Sequence, residues 1–164
     1  MYSEVGRGTT VSIYLPRFIG KADSLAETTV TNAPRAKPGE TVLVVDDEEL
    51  LRNLVIEVLD DLGYASFQAA DGASALEILK SNSRIDLLIT DVGLPGGMNG
   101  RQLADAARLS RGDLRVLFIT GYAENAVINH GHLEPGMQIM TKPFPMDALG
   151  TKIRVMIEGS PTPL

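Results

Sequence analysis

The sequence predicts an α/β protein with an open, doubly wound sheet of five parallel strands and five helices. From Thr41 onward, short apolar runs alternate strictly with segments whose apolar residues recur at helical spacing. The runs are nearly all apolar, which is typical of parallel strands covered by helices on both faces. The 164 residues are 44% hydrophobic and 22% charged, close to a globular average, so we expect one domain of ordinary size with a short appendage.

The first half of this region opens with a run of valines and leucine that ends at Asp46 and Asp47. A segment with leucines and valines at helical spacing follows, and Gly63 ends it as glycine often ends a helix. A short strand-like run then meets the Asp71-Gly72 turn, which leads into a second helical segment. The first four elements are expected at Thr41–Val45 (strand), Glu48–Leu62 (helix), Tyr64–Ala69 (strand) and Ala73–Lys80 (helix).

The second half repeats the alternation. A third apolar run ends at Asp91, and a loop containing Pro95 separates it from the next helical segment. A fourth run closes at Gly121, and after a weaker helical segment a fifth run ends at Lys142. These elements are expected at Ile85–Thr90 (strand), Gly100–Arg111 (helix), Leu114–Thr120 (strand), Ala123–His130 (helix), Met137–Thr141 (strand) and Met146–Ile157 (helix).

Residues 1–40 do not belong to this pattern. Thr10–Leu15 reads as one lone alternating strand. The polar segment Arg17–Glu40 contains Pro34 and Pro38 and is typical of a linker. We therefore divide the chain into residues 1–16, a linker at 17–40, the main domain at 41–158 and a tail at 159–164.

Charge and composition exclude several classes of protein. The net charge is −6, and residues 41–164 hold seventeen acidic against ten basic side chains, so this domain repels phosphate backbones and no nucleic acid partner is expected. No apolar stretch approaches the roughly 18 residues that span a bilayer, so no membrane contact by this chain is expected. The absence of cysteine excludes disulfide scaffolds and thiolate metal sites, and the cytoplasm is the expected compartment.

Polar side chains follow four of the five predicted strands. Asp46 and Asp47 follow the first strand, Asp91 the third, Thr120 closes the fourth and Lys142 follows the fifth. Carboxyl ends of parallel strands meet at one edge of a sheet, where open α/β proteins bind their ligands. Three carboxylates at one place repel each other unless a divalent cation such as Mg²⁺ lies between them. With the cation in place, Asp91 is suited to attack phosphorus, while Lys142 and Thr120 hold phosphoryl oxygens.

Each residue also has a simpler explanation when taken alone. Asp47 is suited to cap the following helix, Asp91 to form a turn and Lys142 to be a solvated charge. Their convergence favours a chemical role. Two functions stay open on the residues: a phosphoacceptor that works as a signalling switch, and a metal-dependent phosphohydrolase with an aspartyl nucleophile.

Four motifs stand at these strand ends, in this order: Val44-Val45-Asp46-Asp47, Asp91-Val92-Gly93-Leu94-Pro95, Thr120-Gly121-Tyr122 and Lys142-Pro143-Phe144. In combination and spacing they resemble the receiver domain of two-component response regulators, over about residues 41–158. The resemblance implies a flavodoxin-like receiver fold and a place in a phosphorelay. It implies that Asp91 is the phosphoacceptor, which takes a phosphoryl group from a phosphohistidine and so switches a protein-interaction surface.

The resemblance also assigns the rest of the site. Thr120 and Lys142 match the switch hydroxyl and the phosphate-binding lysine of the family. Ile139 stands where receivers often carry an aromatic residue, so the effect of this position on the switch is open, and Tyr122 is a candidate replacement. The metal ligands implied for Mg²⁺ or Mn²⁺ are Asp46, Asp47, Asp91 and the backbone carbonyl of Gly93.

The partners implied are a histidine kinase or a histidine phosphotransfer protein, and self-association into a homodimer is left open. Such a domain is a signalling receiver that catalyses its own phosphorylation and dephosphorylation, and it is not counted as an enzyme. The stimulus and the downstream partner are not predicted.

The N-terminal segment has a resemblance of its own. Gly6-Arg7-Gly8-Thr9-Thr10 followed by Val11–Leu15 is similar to the end of the ATP-binding domain of a histidine kinase, with its last glycine-rich box and final strand. The order of kinase tail, linker and receiver is that of a hybrid histidine kinase with a C-terminal receiver. Residues 1–16 would then be the remnant of the kinase domain, and the chain a fragment of a longer kinase.

Overall fold

The computed structural model describes residues 2–4, 6, 8–10, 12, 14, 35–81, 84–121 and 133–159. The chain divides into two compact units, Met1–Thr31 and Asn32–Leu164. No helix in the described ranges is long and apolar enough to cross a membrane.

The first unit contains a small antiparallel hairpin. Strand β1 (Tyr2–Glu4) pairs with strand β2 (Gly8–Thr10), with Tyr2 opposite Thr10. The expectation of a lone strand at Thr10–Leu15 is wrong for the described part of that range, because Thr10 belongs to a paired strand and Ser12 and Tyr14 are outside it. Val11, Ile13 and Leu15 lie outside the described residues. Gly6 has a φ of +84°, a conformation that glycine adopts readily and that allows the tight reversal between the two strands.

The second unit is a five-stranded parallel sheet, and the predicted fold class is confirmed. The sheet order is β4-β3-β5-β6-β7, and all four pairings are parallel. The predicted helix Ala123–His130 lies outside the described residues, which contain the other four. The elements are β3 (Thr41–Val45), α1 (Glu49–Leu62), β4 (Ala65–Ala69), α2 (Gly72–Lys80), β5 (Leu87–Asp91), α3 (Gly100–Ser110), β6 (Arg115–Thr120), β7 (Met137–Thr141) and α4 (Met146–Glu158).

Helices cover both faces of the sheet and divide its core in two. Successive residues of β3 alternate between the faces: Leu43 and Val45 pack with α2 and α3, whereas Val42 and Val44 pack with α1 and α4. All five residues of β3 and of β5 are buried, which explains why these strands read as apolar runs without a polar face.

Local signals set the helix ends. Gly63 ends α1 in the left-handed conformation, with φ at +85°. Asp71 caps α2 by accepting the backbone N–H of Ser74, and Asn99 forms a reciprocal capping box with Gln102 at the start of α3. These caps place the two helices immediately after the loops that leave β4 and β5.

The residues just before β3 belong to the second unit. The side chain of Glu40 is buried and accepts a 2.7 Å hydrogen bond from Nη1 of Arg154, which is also buried. The Ala36 N–H donates to the carbonyl of Leu62, and Lys37 forms an ion pair with Glu158. We call the buried pair Glu40–Arg154 the latch, because it joins the segment before the sheet to the last helix. The predicted linker boundary at residue 40 stays a prediction.

Candidate functional site

Three carboxylates come together at the carboxyl ends of two neighbouring strands. Asp46 and Asp47 follow β3 directly, and Asp91 is the last residue of β5, which pairs with β3. One oxygen of each carboxylate lies within 4.8 Å of the others. Asp46 and Asp91 are buried, whereas Asp47 is exposed. The predicted convergence of these three residues is confirmed, and we call this cluster the acidic pocket.

Asp46 is held by its neighbours on several sides. Its N–H donates to the carbonyl of Ala69 on β4, and its Oδ1 accepts a 2.8 Å hydrogen bond from the Glu48 N–H. Burial raises the pKa of Asp46, and the nearby charge of Asp91 adds to this, while the Glu48 N–H and Lys142 lower it. The carboxylate is thus in a place where an additional positive charge would stabilise its ionised form.

Asp91 and Lys142 form the closest charge pair of the pocket. The Nζ of Lys142 lies 2.8 Å from Oδ2 of Asp91 and 3.4 Å from Oδ2 of Asp46. Burial lowers the pKa of Lys142, but the hydrogen bond to Asp91 and the two carboxylate charges outweigh it, so the pKa is raised and the ammonium is retained. The other oxygen of Asp91, Oδ1, accepts the N–H of Gly93 at 3.1 Å.

Asp47 does not serve as a helix cap. The N-cap of α1 is Glu48, which makes no capping hydrogen bond through its side chain, and α1 begins at Glu49. The exposed Asp47 carboxylate therefore sits beside the pocket without the structural task that the sequence allowed. Lys142 contacts the buried carboxylates of Asp46 and Asp91, so with the third carboxylate of Asp47 the pocket keeps a net negative charge. Oxygen ligands that are open to water on one side suit Mg²⁺ or Mn²⁺. The donor set thus fits a divalent cation.

Thr120 is fully buried at the end of β6. Its hydroxyl donates to the carbonyl of Gly121 at 2.9 Å, and its own carbonyl accepts the N–H of Lys142. Ile139 pairs with Phe118 in the sheet and packs against the core on the α2 and α3 side. Tyr122, the candidate replacement for an aromatic at position 139, lies outside the described residues.

Sequence reasoning missed two residues that lie against the backbone carbonyl of Asp91. A Cβ on Gly100 would lie 2.0 Å from the carbonyl oxygen of Asp91, so only glycine fits there. The Thr90 hydroxyl donates to the same carbonyl at 2.9 Å. Gly100 directly after the cap residue Asn99 was the signal, because a glycine at the start of a helix needs a reason such as a close backbone approach.

Comparison with known proteins identifies this arrangement. The family model described as the response regulator receiver domain matches residues 42–154. The chain belongs to this family. The receiver is a phosphoacceptor module of phosphorelay signalling, and it is a signalling domain rather than a classical enzyme. The family membership decides between the two functions that the residues alone left open, in favour of the switch.

Curated relatives of the receiver are signalling proteins. The chain is 34% identical over 163 residues to the sensor kinase CckA of Brucella abortus, and the match covers 95% of this chain but 17% of that protein. It is 32% identical over 115 residues to sporulation initiation phosphotransferase F of Bacillus subtilis, with 70% of this chain and 91% of that protein covered. Receivers accept phosphoryl groups from histidine kinases or phosphotransferases.

Solved structures agree with the fold. A response regulator receiver protein from Sinorhizobium medicae superimposes with a TM-score of 0.67 at 30% identity, covering 74% of this chain and 96% of its own. The receiver domain of the hybrid histidine kinase CckA superimposes with a TM-score of 0.61 at 32% identity, covering 71% of this chain and 98% of its own.

Proposed function

We propose that Asp91 accepts the phosphoryl group, with a divalent cation held in the acidic pocket. The observation that carries this is the charge imbalance at the end of β5: three carboxylates lie together and Lys142 is in contact with two of them. Asp91 is the member of the three that ends a central strand and that Lys142 contacts most closely. Its carboxylate is held from two sides, by the Lys142 ammonium and the Gly93 N–H.

In the proposed transfer, a carboxylate oxygen of Asp91 attacks the phosphorus of a phosphohistidine. The new O–P bond forms as the N–P bond breaks, and the electron pair stays on the imidazole of the donor. Positioning does most of the work, because phosphoryl transfer needs in-line geometry and neutralised oxygens more than covalent help. Hydrogen bonds on both oxygens of Asp91 restrict the rotation of the carboxylate before the donor arrives.

The ligands that would hold Mg²⁺ or Mn²⁺ are Asp46, Asp47, Asp91 and the backbone carbonyl of Gly93. When bound, the cation would supply positive charge to the phosphoryl oxygens. Asp46 is fixed in place by Glu48 and Lys142, whereas the exposed Asp47 is free to adjust to the coordination geometry.

Lys142 and Thr120 are proposed to read the phosphoryl group after transfer. The phosphoryl oxygens on Asp91 would compete for the Lys142 ammonium and draw the Thr120 hydroxyl away from Gly121. Thr120 is the last residue of β6, Lys142 directly follows β7, and a backbone hydrogen bond joins the two residues, so both would move the ends of β6 and β7. The surface that carries Ile139 and Met140 would then shift between two arrangements.

A small acyl phosphate with Mg²⁺ tests the assignment. Intact mass should rise by one phosphoryl group in the full chain and stay unchanged in Asp91→Asn. Asp105→Asn, on the outer surface of α3, is the matched control and should label like the parent chain. Labelling of Asp91→Asn at the parent rate would contradict the phosphoacceptor assignment, and labelling in excess chelator would contradict the metal.

The chain as a whole is proposed to be part of a hybrid histidine kinase. The match to CckA extends over 95% of the chain and so includes residues before the receiver, although the chain spans 17% of that relative's length. We propose that residues 1–16 are the end of a kinase ATP-binding domain, 17–40 a linker and 159–164 a tail. The donor would be a histidine kinase or a histidine phosphotransfer protein.

A cytoplasmic location follows from the same proposal, and the chain's lack of cysteine supports it. Two measurements test these statements. Radiolabelled phosphate should pass from a purified phosphohistidine protein to the parent chain but not to Asp91→Asn. A parent chain that is labelled by acyl phosphate but not by the phosphohistidine protein would contradict the donor class. Sedimentation before and after phosphorylation would reveal a homodimer, the assembly left open.

A further inference from the structure

Arg52 connects the acidic pocket to the edge of the sheet. It lies in the first turn of α1, and its Nη1 donates a 2.6 Å hydrogen bond to the backbone carbonyl of Asp46. Its Nε donates to the side-chain Oε1 of Gln68 on β4, at 3.1 Å. One guanidinium therefore bridges the turn that follows β3 and the strand at the edge of the sheet.

The carbonyl that Arg52 holds is in a special position. β3 ends at Val45, so the sheet ladder stops just before Asp46. The Asp46 N–H still reaches the Ala69 carbonyl, and Arg52 takes up the carbonyl on the other side of the residue. Both backbone groups of Asp46 are thereby fixed at the point where the chain turns from the strand into α1.

This turn carries two of the three carboxylates. Asp46 and Asp47 are adjacent, so a change in the backbone torsion angles on either side of the peptide that joins them would turn one side chain relative to the other. The carbonyl bound by Arg52 belongs to that peptide. Holding it limits this change and keeps the two carboxylates on the pocket side.

We propose that Arg52 is a positioning residue for the divalent cation, acting through the Asp46–Asp47 peptide and supported by Gln68. The inference rests on the proposed function, because it concerns the same pocket. The guanidinium suits this task since its planar fork offers donors in fixed directions to two acceptors, which an ammonium group does not.

Arg108 offers a matched control. Its Nε donates to the carbonyl of Leu114, its Nη2 to the carbonyl of Pro135 and its Nη1 to the Glu134 carboxylate. It thus bridges backbone and side chain as Arg52 does, but before the starts of β6 and β7, at the opposite end of the sheet. A purely structural role for Arg52 would make the two arginines equivalent.

The test measures Mn²⁺ binding by the full chain, from the electron paramagnetic resonance signal of the free ion. The variants are Arg52→Met, Arg52→Lys, Gln68→Met and Arg108→Met, and urea denaturation without metal reports the stability of each. In Arg52→Met we expect the Kd for Mn²⁺ to rise about tenfold, as supporting residues of metal sites do when removed. The Kd values of Arg52→Lys and Gln68→Met should lie between those of Arg52→Met and the parent chain. Arg108→Met should bind Mn²⁺ with the Kd of the parent chain.

The outcomes distinguish the positioning role of Arg52 from the existence of the metal site. A Kd in Arg52→Met within twofold of the parent overturns the positioning role and leaves the metal site intact. Absence of Mn²⁺ binding in the parent chain overturns the metal site and this inference with it. If Arg52→Met does not fold, the Kd values of Gln68→Met and Arg108→Met for Mn²⁺ are compared. A Kd that is raised only in Gln68→Met supports the positioning role of Arg52, and equal Kd values in the two variants contradict it.

Discussion

The Nζ of Lys142 lies 2.8 Å from Oδ2 of Asp91, although 51 residues separate them in the chain. The same lysine donates its backbone N–H to Thr120. Its side chain thus contacts the acidic pocket, while its backbone N–H is hydrogen-bonded to the residue that ends the neighbouring strand. A change at Asp91 has a short path to the ends of β6 and β7.

We expect Lys142→Ala to separate phosphorylation from its conformational response. Asp91 should still be labelled by acyl phosphate and Mg²⁺, but the backbone NMR shifts of β6 and β7 on labelling should shrink to less than half. Loss of a hydrogen bond between two charged groups should also lower the free energy of unfolding by about 1.5–3 kcal/mol without metal. Lys80→Ala removes an exposed lysine and is the control. A full set of shifts in Lys142→Ala would refute the reading role.

Gly100→Ala is expected to damage the pocket from the side of α3. The new methyl group would meet the Asp91 carbonyl at 2.0 Å, and that backbone atom cannot move away as a flexible side chain could. Overpacking of this kind should cost about 1–3 kcal/mol and slow the labelling of Asp91. Gly112→Ala is the control, because nothing lies within 4 Å of its Cβ position. Equal stability and labelling rates in the two variants would contradict the close approach.

Glu40→Ala tests the latch. Removing the carboxylate leaves the buried Arg154 guanidinium with Glu158 as its remaining anionic partner. Removing one partner of a buried ion pair typically lowers the free energy of unfolding by about 3–5 kcal/mol. Glu77→Ala, which removes a carboxylate from an exposed pair on α2, should cost less than about 0.5 kcal/mol. Urea denaturation compares the two. Similar losses in both would mean that residue 40 contributes no more than a surface charge.

Tyr64→Phe should change the dependence of stability on alkaline pH. Burial raises the pKa of Tyr64 above 10.0, so on going above pH 10 the unfolded chain loses this proton before the folded chain does. The folded state then binds more protons, and stability falls as pH rises through that window. The variant has no phenolic proton to lose, so this part of the fall should be absent from it.

At pH 7 the same variant should match the stability of the parent chain to within about 1 kcal/mol, because the buried hydroxyl makes no hydrogen bond of ordinary geometry among the described residues and its polar neighbour is the Arg154 guanidinium. Urea denaturation at pH 7 and pH 10.5 measures both effects. A parallel loss in the variant and the parent at pH 10.5 would assign the alkaline transition to other groups.

Local patterns in the sequence predict most of the second unit. Met137–Thr141 is a strand with the predicted bounds, and Gly63 ends α1 as expected. The acidic pocket follows from one rule, because parallel strands bring their carboxyl ends to one edge. The contacts that sequence reasoning missed are those that periodicity does not encode. Arg154 lies on the inner side of α4 and its partner Glu40 is 114 residues away.

The first unit shows a different limit. The resemblance of Gly6 and Gly8 to the last glycine-rich box of a kinase stays a prediction, and the sequence pattern did not reveal the hairpin in which both glycines have a positive φ. Short strands carry little periodic signal, so a turn between two three-residue strands is visible only from its glycines.

The latch extends the boundaries within which this receiver domain can be transferred to another protein. Arg154 is the last residue of the family match at 42–154, and both of its carboxylate partners, Glu40 and Glu158, fall outside that range. A chimera cut at the family boundaries would carry a buried guanidinium stripped of both anions into its new host. Fusion junctions for exchanging this domain between signalling proteins therefore belong before residue 35 and after Gly159, so that the transferred segment contains both ion pairs of Arg154.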